Sequence, residues 1–175
     1  MRLDEIAIIQ SGRASKGGEA VLGAGNLSDG RLVDLPSLAT VSEQAPELGD
    51  ILIASKGVAP RVAWVREPVR AGVGPNLIIV RTKQELSGPL YAILSSRRYL
   101  DFLVGLTRGR TTVYSLSAKD LAQLEIPNLL NTAAYAQLVE LAEAGYDAAL
   151  ESAHARRNLA LDLVRQDLLS EMKGR

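Results

Sequence analysis

The sequence predicts an α+β protein, in which a β-rich domain with short helices is followed by one long C-terminal helix. Up to about residue 130, short apolar runs are separated by glycine-containing turns, which is typical of short strands. After Pro127 the chain becomes rich in Ala, Leu, Glu and Arg and contains no further proline, which favours a continuous helix. We therefore expect a boundary near residue 130, between residues 1–130 and 131–175.

Five apolar runs are the predicted strands: residues 6–9, 31–35, 50–55, 61–65 and 76–81. A helix is predicted from Pro89 to Leu106, because apolar residues recur there at helical spacing. A short helix is predicted after Ser117, since Ser117 and Asp120 form a variant of the capping box.

The long helix is predicted from Thr132 to Met172 and would span roughly 60 Å. One face of this helix, which is called α4 below, carries an apolar stripe interrupted by Arg156. We call it the α4 stripe, and it consists of Leu138, Leu141, Gly145, Ala149, Ser152, Leu159 and Leu163. A stripe of this length needs a partner, so we expect an antiparallel pair of helices, a coiled coil between two copies. The alternative is a break near Gly145 that gives a hairpin packed on its own domain.

Composition excludes several classes of protein. The chain has 175 residues, 47% of them hydrophobic, which suits one cored domain with an appendage. It has no cysteine, so disulfides and thiolate metal sites are excluded. The first ten residues are too acidic for a signal peptide, and no run reaches the roughly 20 apolar residues of a membrane span. We expect a cytoplasmic protein that does not contact a membrane.

Net charge is zero, but the charges are unevenly distributed along the chain. Residues 51–112 carry 10 basic and 3 acidic residues, whereas residues 1–50 carry 4 and 8 and residues 113–175 carry 6 and 9. A basic middle third indicates a polyanion such as nucleic acid as the partner. Charges that cluster in sequence need not lie together in space, and this alternative stays open.

We find no pattern that predicts catalysis, a metal site or a cofactor. The single histidine, His154, falls on the polar face of the long helix, which disfavours histidine-based triads. Asp50 and Lys56 flank a predicted strand, as nuclease residues sometimes do, but no Glu-x-Lys pair accompanies them. The chain also lacks the Pro-Pro loop that adenine methyltransferases need.

The basic residues suit DNA binding, because arginine can grip phosphate or read guanine bidentately and threonine adds a hydroxyl donor. Lys56 and Arg61 bracket a predicted turn between strands, and TRGRTT reads as a contact loop. The candidate DNA-binding residues are Arg13, Lys16, Lys56, Arg61, Arg97, Arg98, Arg108, Arg110, Thr111 and Thr112.

Three stretches in order, "LGDILIASKG…RVAWV", "NLIIVR" and "PLYAILSSRRYLDFLVGLTRGRTT…LSAKDLAQLEIP", resemble the target recognition domain of specificity (S) subunits in type I restriction-modification systems. The resemblance implies that residues 1–130 read DNA sequence and that residues 131–175 are a spacer helix. It also implies a non-catalytic subunit that positions a methyltransferase subunit and a nuclease (restriction) subunit on double-stranded DNA.

This chain differs from the family pattern in two respects. Family subunits usually carry two recognition domains and two helical regions, whereas this sequence has one of each, so we expect a homodimer that reads a bipartite target. Residues 128–131 also lack the prolines and glutamine that often follow in the family, which disfavours docking of the methyltransferase subunit along the helices. Two other functions stay open: a protein-interaction module derived from a recognition domain, and an enzyme with an unrecognised carboxylate or serine site.

Overall fold

The computed structural model describes residues 1–14, 20–37, 41–107, 114–127 and 132–173. Two compact units are present, Met1–Ala136 and Gln137–Arg175. The elements, in chain order, are β1 (Ala7–Ser11), β2 (Val21–Leu22), β3 (Leu27–Ser28), β4 (Arg31–Leu32), β5 (Ile51–Ala54), β6 (Lys56–Gly57), β7 (Val62–Trp64), β8 (Gly72–Val73), β9 (Leu77–Thr82), α1 (Gln84–Leu94), α2 (Arg97–Thr107), β10 (Tyr114–Ser115), α3 (Ala118–Ala122) and α4 (Thr132–Lys173). The α+β class and the long C-terminal helix are confirmed.

The main element of the first unit is an antiparallel sheet with the strand order β1-β9-β5-β7. The two central strands, β5 and β9, are the most apolar runs: all four residues of β5 and the first four of β9 are buried. Each of the five predicted strands is present. The run predicted over residues 31–35 forms only the short β4, since Asp34 takes a positive φ of 50°.

Alternate residues of the sheet fill two separate layers of core. Leu52, Ala63 and Ile79 share one face and pack with residues such as Leu22 and Val73. The opposite face packs on α1, where the Trp64 ring stacks on Tyr91 with centroids 5.5 Å apart.

The polar atoms of this second layer are satisfied by hydrogen bonds. Trp64 Nε1 donates to Ser87 Oγ at 2.7 Å, and Ser87 Oγ donates to the Gly49 carbonyl at 2.6 Å. A strand, a helix and the turn before β5 are therefore held together.

The single helix predicted from Pro89 to Leu106 is wrong, because the structure has two helices, α1 and α2. Proline favours a first turn, but Pro89 lies inside α1, which begins five residues earlier at Gln84. The break falls at Ser95 and Ser96, where the Ser96 hydroxyl donates to the Ile93 carbonyl at 2.7 Å. Serine competes in this way with the helical backbone bonds.

The two remaining helices agree with the sequence. Ser117 caps α3 by accepting a hydrogen bond from the Asp120 N–H at 3.1 Å. The helix α4 runs without interruption for 42 residues, about 63 Å, so the hairpin alternative is wrong. The sequence predicts Asn131 or Thr132 as the cap of this helix. Thr132 is the first residue of α4, and Asn131 lies outside the described residues.

Candidate nucleic-acid interface

The register of the sheet brings three predicted DNA-binding segments to one end of it. Ser11 in β1 pairs with Ile78, which pairs with Ile53, which pairs with Val62 in β7. Arg13 follows the end of β1, Lys56 follows the end of β5 and Arg61 precedes β7, so all three leave the sheet at the same end. We call it the basic end.

The basic end is about as wide as a DNA groove. The strands β1 and β7 are the two edges of the sheet and are separated by three strand spacings, about 14 Å. The major groove of B-DNA is about 12 Å wide. Arg13, Lys56 and Arg61 are all exposed, so their charges face solvent.

A second ladder brings β10, which follows the predicted contact loop in the sequence, to the basic end. In this ladder β6 pairs with β10, with Lys56 opposite Ser115 and Gly57 opposite Tyr114. The loop residues Arg108, Arg110, Thr111 and Thr112 lie outside the described residues, as does Lys16. Tyr114, the next described residue in the sequence, pairs with Gly57, the neighbour of Lys56.

Backbone hydrogen bonds on both sides hold the Ser55-Lys56-Gly57 segment. The Ser55 N–H donates to the Asn76 carbonyl at 2.8 Å, and the Ser55 carbonyl accepts from the Leu116 N–H at 2.7 Å. Gly57 has a φ of 152°, which side chains other than glycine rarely allow. Lys56 is therefore presented on a fixed backbone.

Arg61 has a structural contact in addition to its exposed position. Its Nη1 donates to the carbonyls of Ala24 and Leu27 at 3.3 and 3.4 Å. The guanidinium is thus oriented against Ala24 and the first residue of β3, which lowers the entropy cost of a further contact.

Arg97 and Arg98 lie at the start of α2 and differ in their surroundings. One cavity, of about 560 Å³, is lined by Ser95, Pro60 and Arg61. The junction between α1 and α2 therefore lies beside the loop before β7. Arg97 is exposed and pairs with Asp101 at 3.1 Å.

Arg98 lines a different cavity, of about 610 Å³, together with Asp120 and Glu125. The acidic residues of this cavity would repel phosphate, which disfavours Arg98 as a phosphate contact.

The pairing of β6 with β10 was not predicted from the sequence. A signal was available, since Val113 and Tyr114 are both strand formers and follow directly on the loop. The Tyr114 side chain is buried, and its hydroxyl has no hydrogen-bond partner among the described residues. Burial raises the pKa of Tyr114 well above its ordinary value.

Asp50 and Lys56, the pair considered as nuclease residues, do not form one site. They lie at opposite ends of β5, six residues and therefore about 20 Å apart. Asp50 is buried and accepts hydrogen bonds from Arg81 and from the Glu47 N–H. Its role is structural.

The α4 stripe is exposed to solvent. Leu138, Leu141, Leu159 and Leu163 are 61%, 72%, 63% and 56% exposed, and Gly145, Ala149 and Ser152 are exposed between them. Exposed leucines on one helix face are typical of a surface that another helix covers. Within the described residues, no helix has the length and apolar character needed to cross a membrane.

The sequence matches no protein-family model. It also matches no curated protein.

Solved structures do match, at low identity. The HsdS subunit of Thermoanaerobacter tengcongensis is 18% identical, with a TM-score of 0.51 over 87% of this chain and 38% of that one. The S subunit of a type I restriction-modification system from M. genitalium is 18% identical, with a TM-score of 0.55 over 87% and 41%. A chain from work on complex assembly and conformational transition of the type I R-M system is 20% identical, with a TM-score of 0.56 over 97% and 44%.

These matches show the fold. The chain has the fold of type I S subunits, as the resemblance predicted, and it spans about two fifths of their length.

Proposed function

We propose that this protein is a sequence-specific DNA-recognition subunit of a type I restriction-modification system. In this proposal residues 1–130 read the DNA and residues 131–175 form the dimerisation and spacer helix. The observation that carries the proposal is the basic end, where Arg13, Lys56 and Arg61 leave the same end of the sheet near Tyr114, which follows the predicted contact loop in the sequence. The fold of S subunits supports the same reading.

The proposal requires no catalysis by this chain, so its chemistry is recognition. Lysine and arginine at the basic end would neutralise phosphates and release counterions, which gives affinity that falls steeply with salt. The fixed backbone around Lys56 means that binding orders few additional residues. Sequence would be read by loop side chains that this end presents to the groove.

A matched pair of lysine variants tests this role. Lys56 lies at the basic end, whereas Lys83 follows β9 at the opposite end of the sheet, and both are exposed. Lys56→Ala should weaken binding to a duplex selected from a random pool about tenfold at 0.1 M salt, and it should lower the salt slope by about 1.8, because each copy in the homodimer loses one phosphate contact. Lys83→Ala should bind as the wild type does.

Equal affinity of the two variants would contradict the assignment of the basic end. Arg108→Ala and Arg110→Ala, in the loop outside the described residues, should also weaken specific binding. If both bind the selected duplex normally, the loop assignment is wrong. Dimerisation without any affinity for DNA would instead favour the alternative, a protein-interaction module.

The exposed α4 stripe supports a homodimer. In an antiparallel pair that aligns Leu138 with Leu163 of a second copy, Ala149 lies opposite Ser152 and Gly145 lies opposite Arg156. The glycine leaves room for the aliphatic part of the arginine, so the residue that interrupts the stripe is accommodated. Two identical readers related by a two-fold axis would recognise a bipartite palindrome with a fixed gap.

Cysteine cross-linking tests this alignment directly, because the chain has no cysteine of its own. The Leu138→Cys, Leu163→Cys double variant should form a disulfide-linked dimer under mild oxidation. The two positions are about 37 Å apart on one helix, so no bond within one copy can form. Leu138→Cys alone is the control, and a self-linked dimer of that variant would indicate parallel helices.

The remaining parts of the proposal concern partners. A subunit of this kind would place a methyltransferase subunit, and through the complex a restriction subunit, on the target in the cytoplasm. Co-purification with the methyltransferase subunit of a type I system tests this. A complex that forms with wild-type chain and is lost with the Leu141→Glu variant would link assembly to the α4 stripe.

A further inference from the structure

Val58 is an apolar side chain with no role in the folded core. It is 99% exposed, whereas the next most exposed large hydrophobic residue among those described, Leu141, is 72% exposed and belongs to the α4 stripe. The loop that carries it, residues 57–61, joins β6 to β7 at the basic end. Folding removes almost none of its surface from water, so the position is free to serve binding.

The loop is held on both sides, so Val58 is presented in a defined place. On one side Gly57 pairs with Tyr114 in the ladder between β6 and β10. On the other side the Ala54 N–H donates to the Arg61 carbonyl at 2.8 Å, and Arg61 is bound to Ala24 and the first residue of β3. A contact made by Val58 would therefore need little further ordering.

The neighbours of Val58 determine what it could contact. Lys56 and Arg61 lie two and three residues away, within about 10 Å, and both are exposed cations suited to phosphate. The valine side chain between them has no charge and no hydrogen-bonding group, so it cannot bind phosphate or the polar edges of bases. In the major groove the one apolar group is the C5-methyl of thymine, which apolar side chains contact in base readout.

We infer that Val58 is a specificity-determining residue that contacts the C5-methyl group of a thymine in the target. The inference rests on the proposed function as a DNA reader. Lys56 and Arg61 would hold the phosphates beside the groove, and the fixed loop would direct the valine at the base edge between them.

The experiment removes methyl groups from the DNA, by deoxyuridine, and from the protein, by Val58→Ala. A duplex is first selected from a random pool by the full-length wild-type chain, and each of its thymines is then replaced by deoxyuridine, which lacks only the methyl group. At one thymine per half-site the replacement should weaken wild-type binding about fourfold. Val58→Ala should bind the unmodified duplex about fourfold or more weakly than the wild type does. Replacing that same thymine by deoxyuridine should not weaken the binding of Val58→Ala any further.

The control is Val41→Ala, which shortens another exposed valine, 64% exposed, outside this loop. It should keep both the affinity and the response to deoxyuridine. The inference is overturned if no thymine methyl group affects wild-type binding, or if Val58→Ala responds to deoxyuridine as the wild type does. If the wild-type chain enriches no duplex at all, the proposed function itself fails, which is a distinguishable result.

Discussion

The buried ion pair between Asp50 and Arg81 gives the sharpest prediction about stability. Asp50 is 1% exposed, and its two carboxylate oxygens accept from Arg81 Nε and Nη2 at 2.8 and 2.7 Å. Arg81 also pairs with Glu47 at 2.7 Å. The hydrogen bond with Asp50 raises the pKa of Arg81, and the nearby charges of Asp50 and Glu47 add to this, so the arginine stays charged at any working pH.

Arg81→Met removes the charge and keeps most of the aliphatic stem, which leaves the Asp50 carboxylate buried without its cation. Removing one partner of a buried pair costs about 3–5 kcal/mol. The lower end applies here, because the Arg81 side chain is 29% exposed and the Glu47 N–H still donates to Asp50. We expect the free energy of unfolding to fall by about 3 kcal/mol, measured by urea titration.

The control is Arg97→Met, whose pair with Asp101 joins side chains that are 89% and 65% exposed. That pair should contribute about 0.5 kcal/mol or less. Adding Asp50→Asn to Arg81→Met removes the stranded charge and should restore part of the loss. If Arg81→Met lowers the free energy of unfolding no more than Arg97→Met does, burial does not determine the strength of the pair between Arg81 and Asp50.

Three further predictions concern other parts of the chain. Gly12→Ala should lower the free energy of unfolding by about 3 kcal/mol, measured by thermal unfolding, because the new Cβ would lie 2.1 Å from the Gly74 carbonyl oxygen. Gly25→Ala is the control, because nothing lies within 4 Å of a Cβ at that position. Leu141→Glu should shift the dimer to monomer in sedimentation experiments, since it places a charge in the α4 stripe, and an unchanged mass would contradict the pairing. Tyr114→Phe should be neutral or stabilising, because the buried hydroxyl has no partner among the described residues.

The Tyr114 prediction has a pH dependence with a definite sign. Because burial raises the pKa of Tyr114, the unfolded chain loses this proton first. The stabilising contribution is therefore complete below about pH 10 and is lost as pH rises above it. Between pH 10 and 11, the free energy of unfolding should therefore fall less steeply in Tyr114→Phe than in the wild type. An equally steep fall in both would mean that other groups cause it.

Local patterns predicted most elements, because their causes are local. The apolar runs of β5 and β9 and the capped turn at Ser117 are defined by neighbouring residues. The two-residue strands other than β4 were missed because they have no periodicity, and the helix break at Ser95 and Ser96 was missed because serine is tolerated in helices.

The candidate site was predicted only in part, because it depends on long-range register. Lys56 and Arg61 were selected from the sequence correctly as neighbours across one turn, but their position beside Arg13 follows from pairing through β9. The pairing of Lys56 with Ser115 joins residues far apart in the chain. The exposure of Val58 could not be predicted, because nothing in the sequence distinguishes an exposed valine from a buried one.

The first residues of the chain are bonded to the segment after α3. The Ile126 N–H donates to the Met1 carbonyl at 2.9 Å, and the Leu3 N–H donates to the Leu124 carbonyl at 2.9 Å. The backbone of this unit thus nearly closes into a ring. A circularly permuted gene, with residue 126 linked to residue 1 and new termini in the exposed turn at residues 67–68, should yield the same folded body, and fluorescent labels could then be attached away from Lys56.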